Sequence, residues 1–216
     1  MQLSGPSLEP KSGVADSLAI FLHGVGADGN DLIGLAPHFA QALPKTAFVS
    51  PNAPYRYEGA PFGYQWFSIL TQDPALRLGQ LRATAPVLDA YIDGELKKRN
   101  LADERLALIG FSQGTMMSLF IGPRRPTPCA GIVGYSGRLE APELLKAEIK
   151  SRPPVLLVHG DADELLPSRL TDEAAKTLKE NGIAVEFHIR PGLGHGIDEE
   201  GIRLGMAFLK KRLATT

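Results

Sequence analysis

Six short segments of the chain are continuously hydrophobic instead of alternating between apolar and polar residues. Such a run is typical of a strand in a parallel sheet, because helices cover both faces of that sheet. The pattern therefore predicts strands at Leu18–Leu22, Ala47–Ser50, Leu106–Phe111, Ala130–Tyr135, Val155–Val158 and Ala184–Ile189.

Longer amphipathic segments separate these runs. In Leu76–Arg99, apolar residues recur with a period close to that of an α-helix that buries one face. Another helix is predicted from an N-cap at Asn30 or Asp31 to about Leu43. The alternation of strands and helices with short loops predicts one α/β domain over residues 1–216, with a mostly parallel central sheet. The remaining predicted helices are Gln113–Ile121, Pro142–Lys150, Ser168–Asn181 and Glu199–Leu213.

Composition and charge exclude several classes of protein. The formal net charge of the 216 residues is −1, whereas a nucleic-acid-binding protein needs a concentrated basic face. The single cysteine, Cys129, cannot form an intramolecular disulfide, which excludes a disulfide-stapled secreted scaffold. The segment MQLSGPSLEPKSG lacks the features of a signal peptide, and no apolar run approaches the ~18 residues of a membrane span. We therefore expect a cytoplasmic protein with no nucleic-acid partner and no integral membrane segment.

One connection is much longer than the others and carries many aromatic residues. The segment Pro51–Ala75 reads PNAPYRYEGAPFGYQWFSILTQDPA. Loops of this length are usually functional or disordered, and disordered segments are poor in aromatic residues. The sequence therefore predicts an ordered loop that packs beside a functional site.

The segment Gly110-Phe111-Ser112-Gln113-Gly114 fits the pattern G-x-S-x-G of a nucleophile elbow. This chemistry requires a serine on a sharp turn between a strand and a helix, so that the hydroxyl group projects free of the sheet. The flanking glycines allow the two backbones to approach closely. Because a buried strand precedes the motif and a helix follows it, we expect Ser112 to be a catalytic nucleophile.

An elbow serine requires a histidine base, which follows it in the chain order serine, acid, histidine. His159, His188 and His195 all follow the elbow. His188 lies inside a predicted strand and His159 ends one. His195 lies in the loop Gly192–Gly196, and its glycine neighbours allow the ring to turn towards the sheet edge. His195 is therefore the expected base.

The acid that orients the base should lie on a loop after a strand. Asp161 and Asp163 both do so, and their spacing does not distinguish between them. These aspartates with His159 and His195 could also be ligands of a metal ion. No H-E-x-x-H or comparable spacing is present, so we expect no metal site.

An acyl-transfer site also requires N–H donors for an oxyanion. One is expected from Gln113, the residue after the nucleophile, at the start of a helix. We assign the other to Val25, in the glycine-rich loop HGVGADG after the first strand. A nucleotide-binding interpretation of this loop is disfavoured, because the full G-x-G-x-x-G pattern and a downstream acidic residue are missing.

The ordered motifs LHGVGADGNDL, NAPYR, QWF, GFSQG, YSG, HGDADELLP and GLGHG together resemble the phospholipase/carboxylesterase family, from about residue 15 to residue 213. The resemblance implies an α/β-hydrolase fold without a separate cap domain, and a triad of Ser112, Asp163 and His195. It selects Asp163 because the family's acid precedes a hydrophobic-proline element, here Leu165-Leu166-Pro167. It also implies a homodimer as an expected assembly.

The same resemblance guides the expected acyl pocket. Leu165-Leu166 stands where Val-Val or Leu-Val is usual, and the loop Pro51–Ala75 is expected to form the main wall. The residues expected to contact the acyl chain are Trp66, Leu70, Leu165, Leu166 and Leu193.

These features lead to a functional hypothesis: a serine carboxylesterase for esters of short to medium acyl chains, acting through an acyl-enzyme without a cofactor. The near-neutral net charge favours an uncharged acyl substrate. Lysophospholipase or acyl-protein thioesterase activity is the alternative among enzymes, since both use the same groups. The alternative from another class is a non-catalytic receptor for an ester-like ligand.

Overall fold

The computed structural model describes residues 2–71 and 73–214, so residues 1, 72, 215 and 216 of the predicted domain lie outside the described residues. The strands are β1 (Ser7–Leu8), β2 (Ser17–Leu22), β3 (Thr46–Val49), β4 (Tyr55–Arg56), β5 (Tyr64–Gln65), β6 (Leu106–Phe111), β7 (Gly131–Tyr135), β8 (Val155–Gly160) and β9 (Val185–Arg190). The helices are α1 (Gly29–Ile33), α2 (Ala36–Ala42), α3 (Pro74–Arg99), α4 (Gln113–Ile121), α5 (Pro142–Glu148), α6 (Arg169–Glu180) and α7 (Glu199–Leu213).

The central sheet has the strand order β1-β3-β2-β6-β7-β8-β9. Every neighbouring pair in it is parallel except β1 and β3, which confirms the predicted mostly parallel sheet. All six predicted strands are present. The short strand β1 and the hairpin of β4 and β5 were not predicted, because two-residue strands leave no hydrophobic pattern. The hairpin lies in the aromatic loop, which is therefore structured.

Two apolar layers enclose the sheet. Leu18, Ile20 and Leu22 face the layer formed with α3, α4, α5 and α6, whereas Ala19 and Phe21 face the layer with α1, α2 and α7. Every residue of β2 is buried, which explains why the strand is hydrophobic without alternation. Among the described helices, none is both long and apolar enough to cross a membrane.

The first predicted helix is interrupted. Asp28, rather than Asn30 or Asp31, is the N-cap, and its side chain accepts a hydrogen bond from the Asn30 N–H at 2.7 Å. The chain then forms two short helices, α1 and α2. A continuous helix is unfavourable here because Pro37 has no N–H to donate to Ile33 and its ring would clash with that carbonyl. The other predicted helices are confirmed, with ends that differ by at most two residues.

Candidate active site

Ser112 lies in the sharp turn between β6 and α4. Its backbone adopts φ 52° and ψ −116°, which is a strained conformation for a residue other than glycine. Its N–H donates to the Tyr135 carbonyl at 2.9 Å, and its carbonyl accepts from the Met116 N–H at 3.1 Å. A Cβ atom on Gly114 would lie 1.8 Å from the Leu22 carbonyl oxygen, so only glycine fits at this crossing. The strain is thus held by the surrounding sheet and helix.

Ser112 opens into a cleft of about 410 Å³, within the range typical of small-molecule sites. The long aromatic loop, expected to form the main wall, lines the cleft through Phe67, Ser68 and Ile69. The polar and charged side chains that line the cleft are Ser68, Arg77, Ser112, Gln113, Arg138 and His195.

The His195 ring lines the same cleft and is hydrogen-bonded to Asp163. Its Nδ1 lies 2.7 Å from Asp163 Oδ2. Since a carboxylate accepts hydrogen bonds, Nδ1 donates and Nε2 is the nitrogen left to accept a proton. The ring also packs against Phe111, with the ring centroids 5.0 Å apart. Asp163 and Phe111 together fix the orientation of the ring in the cleft.

Asp163 is held in place by backbone groups. Its Oδ1 accepts hydrogen bonds from the N–H groups of Leu165 and Leu166, both at 2.9 Å. Burial alone would raise the pKa of Asp163, but these N–H groups and His195 together hold the pKa below its usual value. The carboxylate therefore stays charged opposite the imidazole.

A second histidine, His159, lies behind Asp163 and is fully buried. Its Nε2 lies 3.0 Å from Asp163 Oδ2 and 2.8 Å from the Leu166 carbonyl oxygen. Because both are acceptors, Nε2 carries a proton, while Nδ1 contacts Thr171 Oγ1 at 2.6 Å. Asp163 Oδ2 therefore receives two imidazole donors. His159 is one of the three histidines that follow the elbow in the chain, but its burial behind Asp163 separates it from the cleft. His188 is exposed on β9, as a strand histidine is expected to be.

The two aspartates left open by their spacing have different contacts. Asp163 contacts His195, whereas Asp161 Oδ1 accepts a hydrogen bond from the Gly192 N–H at 2.7 Å. Asp161 is exposed and fastens the start of the loop that carries His195. The geometry therefore supports Asp163 as the partner of His195.

Val25 and Gln113 both line the cleft. Val25 lies in the loop after β2, and Gln113 directly follows Ser112 in the chain. Among the described residues, no acceptor takes a hydrogen bond from either backbone N–H. Gln113 N–H belongs to the first turn of α4, where N–H groups lack helical partners and the helix dipole favours negative charge. Both N–H groups are therefore available to a ligand.

The Gln113 side chain forms two hydrogen bonds to the aromatic loop, which the sequence does not predict. Its Oε1 accepts from the Trp66 N–H at 2.7 Å, and its Nε2 donates to the Phe67 carbonyl at 2.7 Å. The side chain is buried, so these two bonds satisfy both ends of the amide. They fasten the long aromatic loop to the helix that begins at the nucleophile.

The structure corrects part of the expected acyl pocket. Leu165 and Leu166 line the cleft. Trp66 does not, because its ring is fully buried in the core and its Nε1 donates to the His23 carbonyl at 2.9 Å. Leu70 is 74% exposed, and neither it nor the half-buried Leu193 belongs to the lining. The apolar lining consists of Val25, Phe67, Ile69, Met116, Leu165 and Leu166.

His23 supports the loop that carries Val25. It is fully buried, its Nδ1 lies 2.7 Å from the Gly24 carbonyl oxygen, and its Nε2 accepts from the Ala53 N–H at 3.0 Å. The two contacts fix the neutral tautomer with the proton on Nδ1. Burial lowers the pKa of His23, although the hydrogen bond to Gly24 and the charges of Asp28 and Asp31 oppose it.

We expect His23 to make the protein less stable in mild acid. The unfolded chain binds a proton at about pH 6.5 and the folded chain only at lower pH, so the stability present above pH 6.5 decreases below it, by up to about 1.4 kcal/mol per pH unit. Denaturant unfolding at pH 7.5 and pH 5.5 measures this loss. His23→Gln should reduce the pH dependence, whereas His38→Gln, at an exposed histidine, should not. An unchanged pH dependence in His23→Gln would contradict the assignment.

Comparison with known proteins places these features in a family. The sequence profile described as phospholipase/carboxylesterase matches residues 4–213. Acyl-protein thioesterase 1 of Neurospora crassa is 30% identical over 96% of this chain and 91% of that protein. The protein of the same name from Mycosarcoma maydis is 33% identical over 94% of this chain and 95% of that protein. The crystal structure of esterase PE8 is 43% identical, with a TM-score of 0.94 over 99% of this chain and all of that one.

These matches extend over nearly the whole chain, and the match to esterase PE8 confirms the α/β-hydrolase fold expected from the sequence motifs. They also confirm an enzyme of the carboxylic ester hydrolase and thioesterase class. The chain belongs to the phospholipase/carboxylesterase family.

Proposed function

We propose that this protein is a serine carboxylesterase that hydrolyses esters of short to medium acyl chains through an acyl-enzyme intermediate. The proposal rests on one observation: Ser112 opens into the same cleft as His195, whose Nδ1 is held by Asp163 at 2.7 Å. We further propose that residues 1–216 form one hydrolase domain.

In the proposed reaction, Ser112 Oγ attacks the acyl carbonyl carbon while His195 Nε2 takes the hydroxyl proton. The Val25 and Gln113 N–H groups donate to the oxyanion of the tetrahedral intermediate. His195 then protonates the leaving alcohol, and the acyl group remains bonded to Ser112. In the second half, His195 takes a proton from water as the water attacks the acyl-enzyme, and it then returns this proton to Ser112 Oγ as the carboxylic acid leaves. Asp163 stabilises the imidazolium ion in both halves.

The cleft supports the proposed range of acyl chains. Its volume of about 410 Å³ suits a small ligand, and its apolar side chains offer a surface for an alkyl chain. Leu165 is 73% exposed at the rim, so the cleft is open rather than covered. A longer chain would therefore extend into solvent beyond the rim and gain little further burial.

A thioesterase is the second candidate, and the names of the relatives favour it. Two proteins at least 30% identical to this chain are called acyl-protein thioesterase 1. A thioester presents the same carbonyl group to Ser112, so the proposed mechanism needs no additional group. Comparing an oxygen ester with a thioester of the same acyl chain, and both with a lysophospholipid, separates these activities.

A chain-length series of p-nitrophenyl esters tests the proposed range. Each methylene group that is buried in the cleft should raise kcat/KM by up to about fourfold, until the chain leaves the rim. Leu166→Ala should reduce the gain per methylene because it removes apolar lining but keeps the N–H group that holds Asp163. Leu70→Ala, outside the lining, should leave the profile unchanged. Equal profiles for Leu166→Ala and the wild type would contradict this model of the pocket.

A further inference from the structure

Two arginine side chains line the cleft in addition to the proposed catalytic groups. Arg77 extends from α3, and Arg138 lies in the segment between β7 and α5. Their side chains are 16% and 27% exposed, so both are partly withdrawn from water. The proposed hydrolysis of a neutral ester uses neither of them, so their presence in the lining of this cleft requires an explanation.

One carboxylate, that of Glu140, lies next to both arginines. Its Oε1 accepts from Arg138 Nε at 2.7 Å, whereas Arg77 approaches its Oε2 only to 3.9 Å. The Glu140 side chain is 9% exposed and is not part of the lining. The two positive charges therefore share the single negative charge of Glu140. Among the described residues that line the cleft, none has an acidic side chain.

Only one nitrogen of the Arg138 guanidinium group has a hydrogen-bond partner among the described residues. Its Nε binds Glu140, but its two terminal nitrogens have no acceptor among the described residues. Arg125 differs, because Asp89, Asp93 and Asp103 occupy its nitrogens. The pair of Arg138 and Glu140 also joins residues only two positions apart, so it does not tie distant parts of the fold together. A purely structural role leaves the terminal nitrogens unexplained.

We propose that the preferred substrate carries an anionic oxygen group, a carboxylate or a phosphate, on the part that extends towards Arg138. The paired terminal nitrogens of a guanidinium match two oxygens of such a group, and Arg77 adds a second positive charge. Glu140 holds Arg138 through Nε and leaves those nitrogens free. This inference rests on the proposed esterase function and deepens it.

The charge of the cleft lining differs from the net charge of the whole chain. A net charge of −1 over the whole chain favoured an uncharged substrate, but a ligand responds to the charges that surround it in the cleft. At this site the lining is cationic. The anionic group can belong to the acyl part or to the leaving group, since the arginines recognise the same oxygens in both cases.

Matched pairs of esters test the proposal. One pair is p-nitrophenyl butyrate and mono-p-nitrophenyl succinate, which differ by a carboxylate on the acyl part. The other is phenyl acetate and 4-carboxyphenyl acetate, which differ by a carboxylate on the leaving group. For each pair, the ratio of kcat/KM for the anionic ester to kcat/KM for the neutral ester is measured after subtraction of the spontaneous rate.

The ratio should respond to charge at Arg138 and at Glu140. Arg138→Gln should lower it about tenfold or more for one of the two pairs, because a charge-assisted bidentate contact is lost. Arg138→Lys should lower it less, since the charge remains. Glu140→Gln should raise it several-fold because the competing negative charge is removed while an acceptor for Arg138 Nε is kept. Arg203→Gln, at an exposed arginine that pairs with Glu200 on α7, should leave it unchanged.

The outcomes separate this inference from the proposed function. If Arg138→Gln and Arg77→Gln change the anionic and neutral esters of both pairs equally, the anionic subsite is wrong, and the esterase proposal stands as long as the neutral ester is hydrolysed. If Arg138→Gln is poorly folded, Glu140→Gln and Arg138→Lys still decide the question through the ratio. Hydrolysis of the neutral ester that persists in Ser112→Ala would instead overturn the esterase proposal.

Discussion

Ser112→Ala should lower kcat for p-nitrophenyl esters by roughly 10⁴–10⁶-fold, because the acyl-enzyme of the proposed reaction forms on the Ser112 hydroxyl group. The remaining rate should come only from the oxyanion donors and substrate binding. The variant should also lose covalent labelling by a fluorophosphonate probe, which reacts with an activated serine hydroxyl group. Turnover and labelling should both be measured on the same preparation of each protein.

The interpretation requires that the variant folds. Alanine and serine have similar backbone preferences, so the strained φ of 52° at position 112 should affect both alike and the melting temperature should change little. Ser118→Ala is the matched control, since Ser118 is buried in α4, the helix that follows Ser112, and its Oγ donates to the Gly114 carbonyl. Ser118→Ala should keep the labelling. Labelling that persists in Ser112→Ala would contradict the assignment of the nucleophile.

The sequence predicts the elbow well because the relevant geometry is local. Glycines at 110 and 114, a buried strand before them and a helix after them are all visible within a short segment. The position of His195 is predictable for a similar reason, since its loop follows the last strand and the carboxyl ends of parallel strands meet at one edge of the sheet. These residues lie where the motif pattern places them.

Other features depend on contacts between distant parts of the chain. Trp66 belongs to an aromatic loop, but only the fold decides that its ring faces His23 and the core instead of the cleft. The role of the Gln113 side chain is equally invisible in sequence, because its partners lie more than forty residues away. The arginines at the cleft come from two separate elements, so net charge could not reveal them.

The choice between Asp161 and Asp163 is another such case, and it leads to the second large effect. Both aspartates follow β8, so their spacing alone allows either one to orient His195. Two backbone N–H groups turn Asp163 inwards, whereas Asp161 turns outwards and binds the Gly192 N–H. Only the resemblance of the motifs to those of the family, or the fold itself, separates them.

Asp163→Asn should lower kcat about 10⁴-fold without changing the nucleophile. If the amide oxygen keeps the two backbone N–H groups, its NH₂ group faces His195 Nδ1 and favours the tautomer that carries the proton on Nε2. That tautomer cannot take the proton of Ser112. The NH₂ group also meets the N–H of His159, so the free energy of unfolding should decrease, and kcat must be expressed per folded protein.

Asp161→Asn provides the matched control for this variant. Its amide oxygen can still accept from the Gly192 N–H, so the loop that carries His195 should remain in place and kcat should stay within a few-fold of the wild type. Steady-state kinetics on the two variants, with circular dichroism to measure the folded fraction, makes the comparison. A large loss in Asp161→Asn with a small loss in Asp163→Asn would reverse the assignment. A large loss in Asp163→Asn with a small loss in Asp161→Asn would support the assignment, because the carboxylate that contacts His195 in this fold is that of Asp163.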